Sequence, residues 1–282
     1  MIMQDKMWIT KIWPLPLSDA YNLSDSLFGE FVSNSVVQSK NDDKEWCLEI
    51  ISDRKLSKAD YEEFFSVKNL TSELLPDVDW LAECFRNFKP ITVGKFYIYG
   101  SHSRLTNSQK HKIPLKIDAA NAFGSGEHPT TRGCLTAIQR YFNAKIHRSS
   151  LDLGCGSCIL GMAIAKLGGQ KIYAFDNDPA AVDVSRSNVV KNNVKDSITV
   201  KVNESVEFNV RKYDFIVSNI LAQPLISLSS ELVNCLSEDG ILVISGFTDK
   251  QRGVIDSYTN LGLSLVTEYN IDNWLTAVLC KD

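Results

Sequence analysis

From residue 149 onward the sequence alternates short apolar segments with longer amphipathic ones, separated by polar or glycine-containing turns. The short segments suit β-strands and the longer ones suit helices, so the pattern predicts repeated strand–helix units. Such units fold into a mostly parallel, doubly wound sheet, whose ligands bind beyond the carboxyl ends of the strands. The seven predicted strands are 150–153, 171–175, 198–202, 215–218, 241–245, 263–267 and 275–279, and the main helices are 159–167, 179–190 and 224–236.

The turn after the first of these strands reads Asp152-Leu153-Gly154-Cys155-Gly156-Ser157. Glycines there let the backbone bend tightly and approach a ligand closely. A dinucleotide-binding turn would carry a third glycine at position 159, where this chain has isoleucine. The spacing therefore disfavours a nicotinamide oxidoreductase and favours a methyltransferase loop, in which a carboxylate precedes the first glycine.

Two polar residues follow later strands of the same predicted sheet. Asp176 ends the second strand, where a carboxylate can accept hydrogen bonds from both ribose hydroxyls of an adenosine. We assign helix capping to its neighbour Asp178. Asn219 ends the fourth strand and, with the carbonyl of Ile220, is placed to accept hydrogen bonds from an incoming amine. A buried turn asparagine is the alternative interpretation.

A polar, glycine-containing segment, residues 121–131, precedes the first strand of the sheet and reads Asn-Ala-Phe-Gly-Ser-Gly-Glu-His-Pro-Thr-Thr. Gly124 and Gly126 favour a mobile lid or a helix-entry loop. We predict a helix over 132–141, capped by Thr130 or Thr131.

The N-terminal third has a different pattern. Predicted strands 8–15, 31–38 and 46–52 and predicted helices 18–31 and 58–67 give the order β-α-β-β-α, which is most of a small α+β sandwich of the split βαβ kind. We therefore divide the chain into an N-terminal α+β domain, 1–68, a linker, 69–113, and the doubly wound domain, 114–282.

Charge and cysteine content narrow the possible environments and partners. Residues 1–90 carry 10 Lys/Arg and 16 Asp/Glu, a net charge of −6, whereas the whole chain has a net charge of −4. An acidic segment would repel nucleic acid and attract a basic partner. The alternative is that these acidic side chains only form an ordinary solvated surface. We find no membrane span or export signal and expect a cytoplasmic protein. The seven cysteines include one Cys-x-x-Cys, Cys155 and Cys158, without a second pair, so we expect no metal site.

Four motifs, taken in order, resemble those of the ribosomal protein L11 methyltransferase family (PrmA), over a stretch from Asp77 to Gln251. Residues 122–131 are similar to its lid, Ala-Phe-Gly-Thr-Gly-x-His-Pro-Thr-Thr, and residues 152–160 to its cofactor loop, Asp-x-Gly-Cys-Gly-Ser-Gly-Ile-Leu. Residues 176–179 match Asp-x-Asp-Pro, and residues 219–225 match Asn-Ile-Leu-Ala-x-Pro-Leu. Four ordered motifs are much more specific than any one alone.

The resemblance implies a Rossmann-like class I methyltransferase that uses S-adenosyl-L-methionine. It would act on lysine or N-terminal amino groups of a small basic ribosomal protein held by the N-terminal domain. We expect a monomer that needs no nucleic acid or membrane. The implied catalytic residue is Asn219, and the implied cofactor-binding residues are Phe123, Thr131, Gly154, Gly156, Asp176 and Asn219.

The chain departs from the family pattern at three places. Cys158 stands where glycine is usual, which makes the turn less permissive and puts cofactor affinity in doubt. Residues 118–120 read Asp-Ala-Ala in place of Asp-Pro-Gly, and Glu127 replaces a smaller residue. A redox role for the Cys155 and Cys158 pair is a further alternative, which we disfavour because Cys155 belongs to the glycine loop.

Other activities of the same fold remain as alternatives. A methyltransferase of RNA, DNA or a small molecule would share the cofactor motifs, although no basic stripe or aromatic platform stands out here. A binding module that has lost its cofactor through Cys158 is the non-enzymatic alternative, and calorimetry with S-adenosylmethionine would separate it from an enzyme.

Overall fold

The computed structural model describes residues 7–16, 19–20, 33–38, 45–57, 69–74, 90–101, 103, 109, 111–117, 126, 128–202 and 210–281. The chain divides into two compact units, residues 1–78 and 79–282. None of the helices in the described part of the chain combines the length and apolar character needed to cross a membrane.

The first unit contains a four-stranded antiparallel sheet in the order β2-β3-β1-β4. Its strands are β1 (Trp8–Leu15), β2 (Ser33–Gln38), β3 (Trp46–Ser52) and β4 (Asn69–Leu74). The predicted bounds of β1 and β3 are confirmed. A strand order in which β3 lies between β1 and β2 is that of a split βαβ unit. The predicted helices 18–31 and 58–67 lie outside the described residues, apart from Asp19 and Ala20, which are helical.

Strand β4 differs from the sequence prediction, which placed residues 69–74 in a linker. The strand pairs with β1 from Trp13↔Asn69 to Trp8↔Leu74, and the Thr10 and Ser72 hydroxyls lie 2.9 Å apart across the pair. β4 is an edge strand with most of its residues exposed. Because an edge strand buries little, its sequence lacks the apolar alternation by which the other strands were recognised.

The second unit begins with a small sheet of β5 (Ile91–Val93), β6 (Phe96–Tyr99) and β7 (Ile113–Lys116). β5 and β6 form the hairpin predicted around Gly94, and β7 adds parallel to β6. Phe96 and Ile98 of this sheet are fully buried in one cluster with Leu135 and Ile138 of the helix over 129–141. This packing holds that helix, which follows the lid segment, against the small sheet.

The main sheet has seven strands in the order β10-β9-β8-β11-β12-β14-β13. All neighbours are parallel except those that involve β14, so the predicted doubly wound, mostly parallel sheet is confirmed. The strands are β8 (Ser150–Leu153), β9 (Ile172–Asp176), β10 (Ile198–Val202), β11 (Tyr213–Asn219), β12 (Leu236–Thr248), β13 (Leu263–Ile271) and β14 (Trp274–Lys281).

Helices cover both faces of this sheet. They are α1 (Pro129–Tyr141), α2 (Ile159–Lys166), α3 (Pro179–Lys191), α4 (Ala222–Ser227), α5 (Ser229–Cys235) and α6 (Gly253–Thr259). Successive residues of β11 point to opposite faces, so Phe215 and Val217 pack with α1 and α2 while Ile216 packs with α4 to α6. The helix predicted over 224–236 is two short helices, because Leu228 between them leaves helical geometry.

Candidate active site

The glycine loop lies at the carboxyl end of β8 and is tied to the neighbouring strand. The backbone nitrogens of Gly154 and Cys155 both donate to the carbonyl of Phe175 in β9, at 2.8 and 3.0 Å. Gly154 and Gly156 have φ of +70° and +52°, a left-handed region that favours glycine. The loop therefore folds back over the strand ends, where ligands of such sheets bind.

Asp176, at the end of β9, is bound to that loop. One of its carboxylate oxygens accepts from the backbone nitrogen of Gly156 at 2.8 Å, and the other accepts from that of Asp178 at 3.0 Å. A carboxylate has about four acceptor positions, so this arrangement orients the group and leaves acceptor capacity for a ligand. Asp178 accepts from Ala180 N and caps α3, which confirms its predicted role.

Asn219, at the end of β11, is oriented by α1. Its side-chain nitrogen donates to the hydroxyl of Thr131, which is fully buried, over 3.4 Å. Its side-chain oxygen is buried and has no hydrogen-bond partner. A buried acceptor without a donor is costly unless a ligand supplies one. The predicted residues Thr131 and Asn219 are therefore brought together, with a free acceptor between the strand ends.

Ile220, the next residue, is enclosed by two glycines. A Cβ built on Gly154 would lie 2.1 Å from its Cγ2 atom, and one built on Gly246 would lie 1.9 Å from its carbonyl oxygen. Only glycine fits at either position, so the backbone after Asn219 is held in one place. Gly246 was not among the residues predicted from the sequence, although a glycine inside a strand is itself a signal of a close backbone approach.

Asp152 is a second residue whose importance the sequence did not settle. Its side chain is 1 % exposed; one oxygen accepts from Gly161 N at 2.8 Å and the other is buried without a partner. Burial, with a smaller contribution from the charge of Asp176, raises the pKa of the Asp152 carboxyl to about 7, although the Gly161 hydrogen bond opposes the shift. An unpaired carboxylate oxygen next to the glycine loop suits a cationic ligand group.

Cys158 shows why a glycine is usual at its position. Its φ is +63°, a left-handed value that costs a non-glycine residue free energy, and its side chain is fully buried. A hydrogen bond that its thiol donates to the sulfur of the neighbouring Cys155, together with burial, raises its pKa well above the ordinary value. Both thiols are buried and Cys158 is protonated at neutral pH, which is typical of structural and not of reactive cysteines.

The cap of α1 differs from the prediction. The helix begins at Pro129 and is capped by His128, whose ring accepts from Thr130 N, so the assignment of the cap to Thr130 or Thr131 was wrong. Thr130 and Thr131 lie inside the first turn, where Thr131 is free to face Asn219. Burial lowers the pKa of His128, which keeps the ring neutral and able to accept.

Most of the predicted lid lies outside the described residues, including Phe123, Gly124 and Glu127, as do residues 118–120. Gly126 is described: its φ is +92°, and a Cβ on it would lie 2.9 Å from Ile98 Cδ1. Across the described ranges, no group of three His, Cys, Asp or Glu side chains is arranged to hold a metal ion.

These features define the class of protein. The main sheet has seven strands, with β14 antiparallel beside β12. A glycine loop follows β8, an acidic residue ends β9 and an asparagine ends β11. This is the architecture of a class I methyltransferase. The model of the family described as ribosomal protein L11 methyltransferase (PrmA) matches residues 21–282. The chain belongs to this family, and it is a methyltransferase.

Relatives and a solved structure agree with this assignment. A ribosomal protein L11 methyltransferase from Agrobacterium fabrum is 36% identical over 218 residues, 76% of this chain and 74% of that protein. One from Allorhizobium ampelinum is 37% identical over 209 residues, 72% of each chain. The crystal structure of a ribosomal protein L11 methylase from Lactobacillus delbrueckii subsp. bulgaricus superposes with a TM-score of 0.63 at 26% identity, covering 69% of this chain and all of that one.

Proposed function

We propose that this chain transfers methyl groups from S-adenosyl-L-methionine to lysine or N-terminal amino groups of ribosomal protein L11. The observation that carries the proposal is the buried, unpartnered side-chain oxygen of Asn219, held toward the strand ends by Thr131. The names of the relatives, all ribosomal protein L11 methyltransferases, support the choice of substrate.

The residues at the strand ends fit S-adenosylmethionine. The two carboxylate oxygens of Asp176 suit the ribose hydroxyls, and the backbone of Gly154 and Gly156 leaves room for the methionine part. The free oxygen of Asp152 suits a cationic group, and Thr131 lies beside Asn219. Phe123 is proposed as a wall of the same site. When bound, the cofactor supplies a methyl group on a positively charged sulfur.

The contribution of the chain is alignment and desolvation. Asn219 and the carbonyl of Ile220 accept hydrogen bonds from the amine, which orients its lone pair; correct orientation is a large part of such catalysis. The amine must be neutral, although an ordinary lysine has a pKa of about 10.4. An apolar site near a positive charge lowers that pKa by desolvation and repulsion. No dedicated strong base is needed, and His128 serves as a cap.

The N-terminal unit is proposed to hold the protein substrate. Its acidic balance, 10 Lys/Arg against 16 Asp/Glu over residues 1–90, suits a small basic ribosomal protein. We place this substrate-recognition domain in the first unit, residues 1–78, because β4 pairs with β1, and the catalytic domain in the second unit, residues 79–282. The enzyme is proposed to act as a cytoplasmic monomer.

The test is methylation of purified ribosomal protein L11 by the purified chain with radiolabelled S-adenosylmethionine, followed by mass spectrometry of the product. We expect label on lysine side chains or the α-amino group. Asn219→Ala should cut turnover much more than cofactor affinity measured by calorimetry. Absence of label on L11, with label on another protein or an RNA in lysate, would refute the substrate assignment, and unchanged turnover in the variant would refute the role of Asn219.

A further inference from the structure

Leu221 combines two features that its own fold does not favour. It is 64% exposed, which leaves most of a large apolar side chain in water. It is also the N-cap of α4, with φ −62° and ψ 156°, and makes no side-chain capping bond. Serine, threonine, aspartate and asparagine are preferred at such positions because they satisfy a free backbone nitrogen. Neither exposure nor capping explains a leucine here.

The position of Leu221 relative to the acceptor is fixed by its neighbours. Asn219 is paired with Ser245 in β12, and Ile220 is enclosed by Gly154 and Gly246. The carbonyl of Leu221 itself accepts from Leu225 N and so begins α4. The side chain of Leu221 therefore projects from a rigid segment, two residues from the group that orients the amine.

From this geometry we infer that Leu221 is a substrate-contact residue, which packs against apolar surface of the substrate protein beside the amine to be methylated. The inference rests on the proposed function. Pro224, three residues further along in α4, is a second exposed apolar residue of this segment. Residues whose local preference is violated at a site are expected to serve the site.

The experiment replaces Leu221 with serine and measures the KM for ribosomal protein L11, the kcat and the thermal stability. Leu221→Ser should raise KM by about tenfold, because an apolar contact of the order of a leucine side chain is lost. Its Tm should rise by roughly 2–4 °C, because serine caps the helix. Cofactor affinity should stay unchanged. Leu221→Met keeps an apolar side chain and should retain the ordinary KM.

The matched control is Ile146→Ser. Ile146 is also 64% exposed but lies before β8, at the opposite end of the strands from the site. This variant should leave KM unchanged. If the wild-type enzyme labels L11 but Leu221→Ser has the same KM as the wild type, only the assignment of Leu221 is overturned. An equal rise in KM for Leu221→Ser and Ile146→Ser would overturn it too. Wild-type enzyme that leaves L11 unlabelled would overturn the proposed substrate and this inference with it.

Discussion

The side-chain nitrogen of Asn219 donates to the hydroxyl of Thr131 over 3.4 Å, so a helix and a strand distant in sequence jointly determine which end of the amide is left free. The free end is an oxygen, which can only accept. An amine brought to it presents a hydrogen to Asn219 and turns its lone pair elsewhere. In the proposed function, this contact makes the strand-terminal asparagine an orienting group for the amine.

Thr131→Val, which removes the hydroxyl at almost constant volume, tests this contact. The amide is then free to rotate, and kcat should fall by roughly tenfold, the equivalent of about 1.4 kcal/mol. Thr136→Val is the matched control, since the Thr136 hydroxyl donates to the Arg132 carbonyl within α1 and faces no site residue. Steady-state kinetics that show equal losses for both variants would contradict an orienting role for Thr131.

The enclosure of Ile220 predicts different outcomes for two glycine substitutions. Gly246→Ala sets a Cβ against the Ile220 backbone, so Ile220→Ala should not relieve it. Gly154→Ala sets a Cβ against the Ile220 side chain, so Ile220→Ala should partly restore the folded protein. Urea unfolding of the single and double variants measures both effects, and a similar rescue in the two pairs would contradict the enclosure.

Gly262→Ala supplies the control for backbone strain. Gly262 has φ +93°, close to the +104° of Gly246, but no atom lies within 4 Å of a Cβ built on it. Its substitution should therefore cost only the left-handed conformation, about 1–2 kcal/mol, with activity retained. Gly246→Ala should cost more and should also lower kcat, because the segment after Asn219 must move.

The parts of this molecule that the sequence predicted are those in which local pattern and tertiary structure agree. The central strand β11, predicted at 215–218 and observed at 213–219, has the apolar character that burial requires. Asp178 is a preferred residue type for a helix cap, and it caps α3 in the structure. β4 escaped prediction because edge pairing requires no apolar pattern. The start of α1 was misplaced because His128 is an unusual cap, favoured here by the burial that keeps its ring neutral.

The residues of the candidate site likewise fall into two groups, those whose place the sequence predicts and those whose contacts appear only in the fold. Gly154, Asp176 and Asn219 stand directly after predicted strands, so sequence order placed them at one edge of the sheet. Gly246 acts through a contact with Ile220 that depends on strand order, which a single sequence does not specify. The unpaired oxygen of Asp152 depends likewise on which backbone groups surround it. The sequence could therefore predict where Gly154, Asp176 and Asn219 lie, but not the contact of Gly246 or the missing partner of Asp152.

Cys158 offers a test of backbone strain in the glycine loop. Cys158→Gly and Cys158→Ala both remove the thiol, but only alanine keeps the left-handed strain at φ +63°. The glycine variant should be more stable by about 0.5–1 kcal/mol, after the greater freedom of glycine in the unfolded chain is allowed for.

Cys134 provides the opposite case, since it is a fully buried cysteine inside α1. Glycine there should be less stable than alanine by about 1 kcal/mol, as in any helix interior. Denaturant unfolding of the four variants gives the two differences. If the glycine variant is less stable than the alanine variant at position 158 as well as at position 134, the left-handed conformation of Cys158 has no energetic consequence.

The buried carboxyl of Asp152 makes the stability of this protein depend on pH in a direction opposite to that of most acidic groups. Burial raises the pKa of this carboxyl in the folded chain to about 7, from its ordinary value of about 3.8. Between these values the folded chain keeps a proton that the unfolded chain has lost, so this group's contribution to stability is full below about pH 3.8 and falls as the pH rises to 7.

Asp152→Asn keeps an oxygen that can accept from Gly161 N but cannot ionise. The stability of the wild type relative to this variant should therefore fall between pH 5 and pH 7, by up to about 2–3 kcal/mol at roughly 1.4 kcal/mol per pH unit, and then level off. Urea unfolding of both proteins at matched pH removes the effect of every other titrating group from the difference. Parallel pH profiles would mean that Asp152 is ionised throughout this range, and its oxygens would then require a cationic partner inside the folded protein.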